Sequence, residues 1–168
     1  MKVLLVDDEP FILQGLSVLI DWAAEGCEIV KMASNGKEAL LYLEDHEADL
    51  VITDIKMPVM SGLELLEQIR GRQISDAFFI ILSGYNDFSY AQKAIRYACM
   101  DYLVKPVQKE ALLELIRKAK SSLAVTEQNA ENERRMQEMQ LKQYIIALLR
   151  GKQNEEELKY VKERLRLG

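Results

Sequence analysis

The sequence contains little of several residue types on which whole classes of protein depend. Its 168 residues include two cysteines and a single histidine. Cys27 and Cys99 lie far apart, and neither has the spacing of a metal ligand, so we expect two reduced thiols of a cytosolic protein rather than a disulfide framework or a zinc site. His46 stands alone in a polar stretch, which favours a solvated surface position over a catalytic one.

Long apolar runs and an excess of positive charge are also missing. No stretch reaches the roughly 18 apolar residues that suggest a membrane span. The first apolar run ends at Val6, which is too short for a signal-peptide core. The net charge of -5 gives no electrostatic footprint for nucleic acid. We therefore expect a cytoplasmic protein that has no membrane association and does not bind DNA through these residues.

Short apolar runs alternate with longer amphipathic patterns through about residue 122. Five of these runs have the length of buried strands, at residues 3–6, 28–33, 50–53, 78–82 and 102–104. A helical pattern follows each of them, within residues 11–22, 37–43, 63–69, 88–97 and 111–123. Continuous apolar strands that alternate with helices predict an α/β fold, a doubly wound five-stranded parallel sheet covered on both faces.

The composition changes near residue 121, and charged and amide residues then dominate to about Gln143. This stretch contains no proline or glycine, and its residue types favour a helix by intrinsic propensity. It is therefore predicted to extend the fifth helix, with a frayed tail as the alternative. We divide the chain into a domain over residues 1–122 and a helical connector over residues 123–168.

The connector ends in a strongly apolar segment, residues 144–149, that needs to be covered. Gly151 follows it as a helix-stop signal, and Asn154 opens a capping-box pattern for a short second helix. That second helix is too short to be stable alone. Either it folds back on the first helix or the segment pairs with another chain, and we favour a homodimer.

Acidic residues, a lysine and a hydroxyl group follow successive predicted strands. Asp7 and Asp8 follow the first strand, Asp54 the third, Ser83 the fourth and Lys105 the fifth. Ligand-binding residues in parallel sheets collect beyond the carboxyl ends of the strands, so we expect these side chains to lie together. Clustered carboxylates repel one another unless a cation lies between them, and oxygen-only ligands suit Mg²⁺. Together with the lysine and the hydroxyl, they offer the charge neutralisation that phosphoryl transfer needs.

Each of these residues has an ordinary structural explanation when it is taken alone. An acidic residue such as Asp8 before Pro10 often only caps a helix. Lys105-Pro106 is a common turn, and Ser83 before a glycine is a weak signal. Their coincidence on successive strand ends, in this order, is what favours a functional site.

Several short motifs, taken in order along the chain, match one family pattern. They are Asp7-Asp8-Glu9, Asp54 within Thr53-Asp54-Ile55-Lys56-Met57-Pro58, Gly62, Ser83-Gly84, and Tyr102 with Lys105-Pro106. Over roughly residues 1–122 the sequence resembles the receiver domain of bacterial two-component response regulators. The resemblance implies a flavodoxin-like fold with strand order 2-1-3-4-5, followed here by a C-terminal helical extension.

The resemblance also implies the chemistry of the acidic cluster. Asp54 is expected to accept a phosphoryl group from a sensor histidine kinase, and Lys105 to pair with that group or with the Asp54 carboxylate. Asp8, Asp54 and the backbone carbonyl of Lys56 are expected to bind a Mg²⁺ cofactor. Asp7 is expected to help hold this metal through water.

The resemblance also implies that two further residues respond when Asp54 is phosphorylated. Ser83 is the hydroxyl expected to move to a phosphoryl oxygen, and Tyr102 is the aromatic residue expected to follow it inward. The peptide bond of Lys105-Pro106 is expected to be cis.

A narrower resemblance rests on the first and fourth helices. The motifs are Asp21-Trp22, Ser83-Gly84-Tyr85-Asn86-Asp87-Phe88 and Tyr90-Ala91-Gln92-Lys93-Ala94-Ile95. They are similar to the receivers of AraC-type transcriptional response regulators, the YesN-like group. This resemblance implies control of transcription through a DNA-binding output domain that is not in this chain.

Three other functions compete with a phosphorylated switch. An Asp after an apolar strand also opens Mg²⁺-dependent haloacid-dehalogenase-type phosphatases, but the second acid of those enzymes is here Lys56. A pseudo-receiver that acts only as a protein-interaction module would have lost an acidic, lysine or hydroxyl position, and none is lost. A dinucleotide-binding function is not supported, because no G-x-G-x-x-G motif follows the first strand. We expect a switch that hydrolyses its phosphoryl group slowly rather than an enzyme.

Overall fold

The computed structural model describes residues 1–84 and 88–149. The predicted helix stop at Gly151, the predicted helix after Asn154 and the motif residues Tyr85-Asn86-Asp87 lie outside the described residues. The elements in chain order are β1 Lys2–Val6, α1 Pro10–Leu19, β2 Glu28–Ala33, α2 Gly36–Asp45, β3 Leu50–Asp54, α3 Gly62–Gly71, β4 Phe78–Ser83, α4 Phe88–Arg96, β5 Asp101–Val104 and α5 Lys109–Leu149.

The five strands form one parallel sheet in the order β2-β1-β3-β4-β5. This confirms the predicted fold class and strand order. Alternate residues of the central strands face opposite sides of the sheet. Leu5 and Ile52 join a core cluster with residues of α1 and α5, whereas Leu4 and Val51 join a cluster with residues of α2 and α3. Burial on both faces explains why these strands read as continuous apolar runs.

Helix α1 is shorter than the sequence predicted. It ends at Leu19, and Ile20 has an extended backbone with φ of -131°. Ile20 and Trp22 are nevertheless buried in the core, and the indole Nε1 of Trp22 donates a hydrogen bond to the carbonyl of Leu16 at 3.1 Å. The prediction of a helix through Trp22 was wrong because the apolar pattern signals burial, and here a loop supplies the buried side chains.

Helix α5 runs without interruption from Lys109 to Leu149. The predicted extension of the fifth helix is therefore confirmed. Its first part is amphipathic and buries Leu112, Ile116 and Ala119 against the sheet. By its contacts the chain falls into two units, Met1–Leu123 and Ala124–Gly168. Across the described residues, no helix has both the length and the apolar character that crossing a membrane would require.

Candidate functional site

The predicted site residues come together at the carboxyl edge of the sheet. Asp7 directly follows β1, Asp54 is the last residue of β3, and Lys105 directly follows β5. The Lys105 ammonium lies between the two carboxylates, with Nζ at 2.9 Å from Oδ2 of Asp7 and 3.3 Å from Oδ2 of Asp54. The parallel sheet therefore brings residues separated by about a hundred positions into one ion-paired group.

Backbone donors fix the two carboxylates that face Lys105. The N–H of Glu9 donates to Oδ1 of Asp7 at 2.9 Å, and the N–H of Ile55 donates to Oδ1 of Asp54 at 2.8 Å. In each carboxylate one oxygen is thus held by the main chain and the other contacts the lysine. The arrangement holds both groups in position before any ligand binds.

Burial makes this group electrostatically unusual. The Asp7 side chain is fully buried, whereas the side chains of Asp54 and Lys105 are 13% and 20% exposed. Burial raises the pKa of Asp54, and Asp7 adds to this effect, while Lys105 opposes it. Burial alone would lower the pKa of Lys105, but its contacts with Asp7 and Asp54 raise it above its ordinary value. Lys105 is therefore a permanent cation at neutral pH, beside a carboxylate that is more basic than usual.

Three carboxylates at this edge form a donor set for a hard cation. Ligand oxygens of Asp7, Asp8 and Asp54 lie within 4.8 Å of one another. The ordinary explanation of Asp8 as a helix cap does not hold, because the N-cap of α1 is Glu9, which makes no side-chain capping bond to the described residues. All three ligands are oxygens, with Asp7 buried on one side and Asp8 exposed to solvent on the other. Such a set fits Mg²⁺, which usually keeps several of its waters.

An open depression of about 500 Å³ lies next to the carboxylates, lined by residues that include Asp8, Lys56, Met57 and Glu64. Lys56 is exposed and lies two residues beyond Asp54 on the β3–α3 loop. The expected metal contact of its backbone carbonyl stays a prediction. The depression is open to solvent on the side of the loop.

Gly62 packs on the backbone of Asp54, a role that the sequence alone did not reveal. Helix α3 begins at Gly62 after a capping box formed by Ser61 and Glu64. The N–H of Gly62 donates to the carbonyl of Ile55 at 2.8 Å, and a Cβ at position 62 would lie 2.0 Å from the carbonyl oxygen of Asp54. The start of α3 therefore packs directly on the backbone of Asp54. Only the presence of a glycine in the motif hinted at this contact.

The two predicted switch residues occupy different environments. Ser83 is the last residue of β4 and is 4% exposed, and its carbonyl accepts a hydrogen bond from the N–H of Lys105 at 2.8 Å. The side chain of Tyr102 in β5 is 43% exposed, so its ring lies at the surface rather than in the site. The peptide bond between Lys105 and Pro106 is cis, as expected.

Comparisons with known proteins agree with this geometry. The family model described as the response regulator receiver domain matches residues 3–117. The chain is 39% identical over 112 residues to the uncharacterized transcriptional regulatory protein YesN of Bacillus subtilis, covering 67% of this chain and 30% of YesN. It spans less than half the length of the curated relatives that it matches first.

Solved structures give the same result. The REC domain of AraT, a response regulator from Geobacillus stearothermophilus, is 39% identical with a TM-score of 0.70, and the match covers 75% of this chain and 97% of that one. A chain of the CheX-CheY-BeF3-Mg²⁺ complex from Borrelia burgdorferi is 28% identical with a TM-score of 0.61, and the match covers 68% of this chain and 84% of that one.

Proposed function

We infer the function of this chain from one premise, which is that it belongs to the response regulator receiver domain family. We propose that Asp54 accepts a phosphoryl group from a sensor histidine kinase. The observation that carries this proposal is the Lys105 ammonium, which lies within 3.3 Å of Asp54 and within 2.9 Å of Asp7 at the end of the sheet. A buried, basic carboxylate beside a fixed cation is suited to attack phosphorus and to hold the product.

The proposed reaction transfers the phosphoryl group between two side chains. An oxygen of the ionised Asp54 carboxylate forms a bond to phosphorus while the bond between phosphorus and the histidine nitrogen of the kinase breaks. The imidazole leaves with the electron pair of that bond and takes up a proton. Lys105 then donates to a phosphoryl oxygen, while Ile55 keeps the carboxylate oriented through its N–H.

Mg²⁺ is the cofactor that the donor set fits. We propose that Asp8, Asp54 and the backbone carbonyl of Lys56 hold it, with Asp7 contributing through water. Bound there, the ion supplies positive charge that offsets the carboxylates and the incoming phosphate. The clustering of the three carboxylates supports this assignment, as does the Mg²⁺ named in the similar CheX-CheY complex.

The phosphorylated state is proposed to act on transcription through a DNA-binding output domain. Residues 1–122 would be the receiver, and residues 123–168 the helical connector through which a cytoplasmic homodimer passes on the signal. The name of YesN as a transcriptional regulator supports this output. The buried Ser83 and exposed Tyr102 would couple the site to the surface formed by α4, β5 and α5, and Asp54 would lose its phosphate by slow hydrolysis.

The intact mass of the full chain tests phosphorylation directly. Incubation with Mg²⁺ and a small phosphodonor such as acetyl phosphate should add one phosphate, and chelation of the metal should prevent it. Asp54→Ala should remain unmodified. The control variant Asp45→Ala, which removes an acidic residue at the C-terminal end of α2, should be modified like the wild type. A full phosphate increment on Asp54→Ala would overturn the assignment.

A further inference from the structure

The part of α5 beyond residue 124 is densely charged, yet one narrow stripe along it carries no charge. This uncharged stripe steps by four and three residues in turn, through Val125, Asn129, Asn132, Met136, Met139, Gln143 and Ile146. The charged residues of the same stretch all lie elsewhere, at Glu127, Glu131, Glu133, Arg134, Arg135, Glu138 and Lys142. A mean step of about 3.5 residues keeps the uncharged stripe on one side of the helix, as in a coiled-coil seam.

The apolar members of the uncharged stripe are open to solvent in the single chain. Val125, Met136 and Met139 are 60%, 65% and 63% exposed, and Ile146 is 48% exposed. A helix that docks on a globular core presents an apolar face about 100° wide, which is wider than this stripe. A stripe of this width is the narrower kind that packs against one partner helix. The stripe is therefore better suited to pack against a single partner helix than against a folded domain.

We propose that the uncharged stripe is the seam of a parallel, in-register two-stranded coiled coil formed with a second copy of this chain. A parallel pairing places every residue opposite its own equivalent. Asn129 then meets Asn129 of the second copy, so that the two amides can bond to each other, and Met136 meets Met136. In an antiparallel pairing that overlaps the whole stripe, Asn129 would face Gln143 of the second copy, but Asn132 would face Met139 of the second copy, which leaves the buried Asn132 amide without a partner.

The residues that flank the stripe are compatible with a parallel pair. In a parallel coiled coil a residue just before one seam position faces the residue five places later in the second helix. Gln128 would face Glu133 of the second copy, and Arg135 would face Gln140 of the second copy. Each of these pairs joins a charge to an amide, and neither places like charges together. Charge therefore does not oppose the association of two identical helices in this register.

The composition of the stripe predicts a weak and concentration-dependent dimer. Asn129, Asn132 and Gln143 contribute little apolar surface, and the stripe from residue 125 to residue 146 is only about three heptads long. Polar residues in a seam fix register and strand number at a cost in stability. The proposal does not depend on phosphorylation of Asp54, so it is tested without a phosphodonor.

Sedimentation of the full chain over a range of concentrations is the first test. The wild type should shift from monomer to dimer, and the double variant Met136→Glu, Met139→Glu should weaken the dimer by about 100-fold, because two buried apolar contacts are lost. Ala130→Glu, on the same helix but off the stripe, should associate like the wild type. A wild type that stays monomeric at every concentration, or a double variant that dimerises as strongly, would overturn the proposal.

Cross-linking tests the orientation and does not need the double variant to fold. Under mild oxidation Val125→Cys should form a dimer through its own equivalent, because position 125 meets position 125 only in a parallel pair. Ala130→Cys and the wild type, which carries Cys27 and Cys99, should not do so. Absence of the cross-link in a Val125→Cys chain that still dimerises would exclude the parallel seam. An unchanged emission spectrum of the buried Trp22 would confirm that each variant retains its fold.

Discussion

Replacement of Gly62 by alanine should separate the start of α3 from Asp54, the proposed phosphoacceptor. A Cβ built at this position lies 2.0 Å from the carbonyl oxygen of Asp54 and 3.0 Å from the hydroxyl oxygen of Thr53. The closest of these atoms belongs to the backbone of β3 and cannot rotate away. Since Cβ atoms are almost never found within 3.0 Å of such a neighbour, helix and strand must part by about 1 Å.

This displacement sets the size of the expected effects. Overpacking in a close-packed interior typically costs about 1–3 kcal/mol, and a clash with backbone belongs at the upper end of that range. A loss of about 3 kcal/mol lowers the melting temperature of a domain of this size by about 10 °C. A shift of 1 Å at the reacting carboxylate can also slow the chemistry by about 100-fold.

Thermal unfolding followed by circular dichroism measures the first effect, and the rate of phosphate incorporation from a small donor measures the second. Gly15→Ala is the matched control, since Gly15 lies inside α1 and its Cβ would meet no described atom within 4 Å. It should stabilise the protein by about 0.5–1 kcal/mol and leave phosphorylation unchanged. The close packing of α3 on Asp54 would be refuted by a Gly62→Ala protein that melts within 2 °C or so of the wild type.

Three further predictions concern the charges and the switch. Mg²⁺ at ten times its dissociation constant should stabilise the wild type by about 1.4 kcal/mol in thermal unfolding. Asp8→Asn should abolish most of this gain. An equal gain in that variant would show that Asp8 is not a metal ligand. Burial raises the pKa of Asp54, so the ionised carboxylate destabilises the folded state above its folded pKa and no longer does so below its unfolded pKa of about 4. Asp54→Asn should therefore raise the melting temperature of the metal-free protein at pH 7 and lose this advantage near pH 4, and a gain that grows with acid would contradict the sign. Ser83→Ala should still accept phosphate, but phosphorylation should change hydrogen exchange in α4 much less than it does in the wild type. A change as large as that of the wild type would show that the Ser83 hydroxyl does not couple the site to α4.

Strand positions could be predicted from the sequence because burial on both faces leaves an unambiguous pattern. The continuous apolar run of β3, with Val51 and Ile52 packed on opposite sides, cannot be confused with a half-exposed strand. The end of α1 could not be predicted in the same way. Ile20 and Trp22 keep the apolar spacing of the helix although the backbone has already turned away at Ile20.

The membership of the site could be predicted, but its internal contacts could not. Motif spacing places Asp7, Asp54 and Lys105 on one sheet edge, because parallel strands end together. Motif spacing does not show that Lys105 lies closer to Asp7 than to Asp54. That difference is smaller than the spacing between neighbouring residues, and it depends on the geometry of the side chains. The contact of Gly62 with the Asp54 carbonyl was equally hidden, because a glycine in a motif does not reveal which atom approaches it.

The identity of the phosphorylated residue is the central claim, and chemical trapping tests it most directly. Borohydride reduces an acyl phosphate on aspartate to homoserine: one hydride displaces the phosphate together with its bridging oxygen, and a second hydride reduces the resulting aldehyde to the alcohol. The modified residue then has one oxygen fewer and two hydrogens more than aspartate, which marks its position. After phosphorylation of the full chain with Mg²⁺ and acetyl phosphate, followed by reduction and proteolysis, mass spectrometry should find homoserine at position 54. The neighbouring acids Asp7 and Asp8 should remain aspartate. Homoserine at either of them, with Asp54 intact, would contradict the assignment.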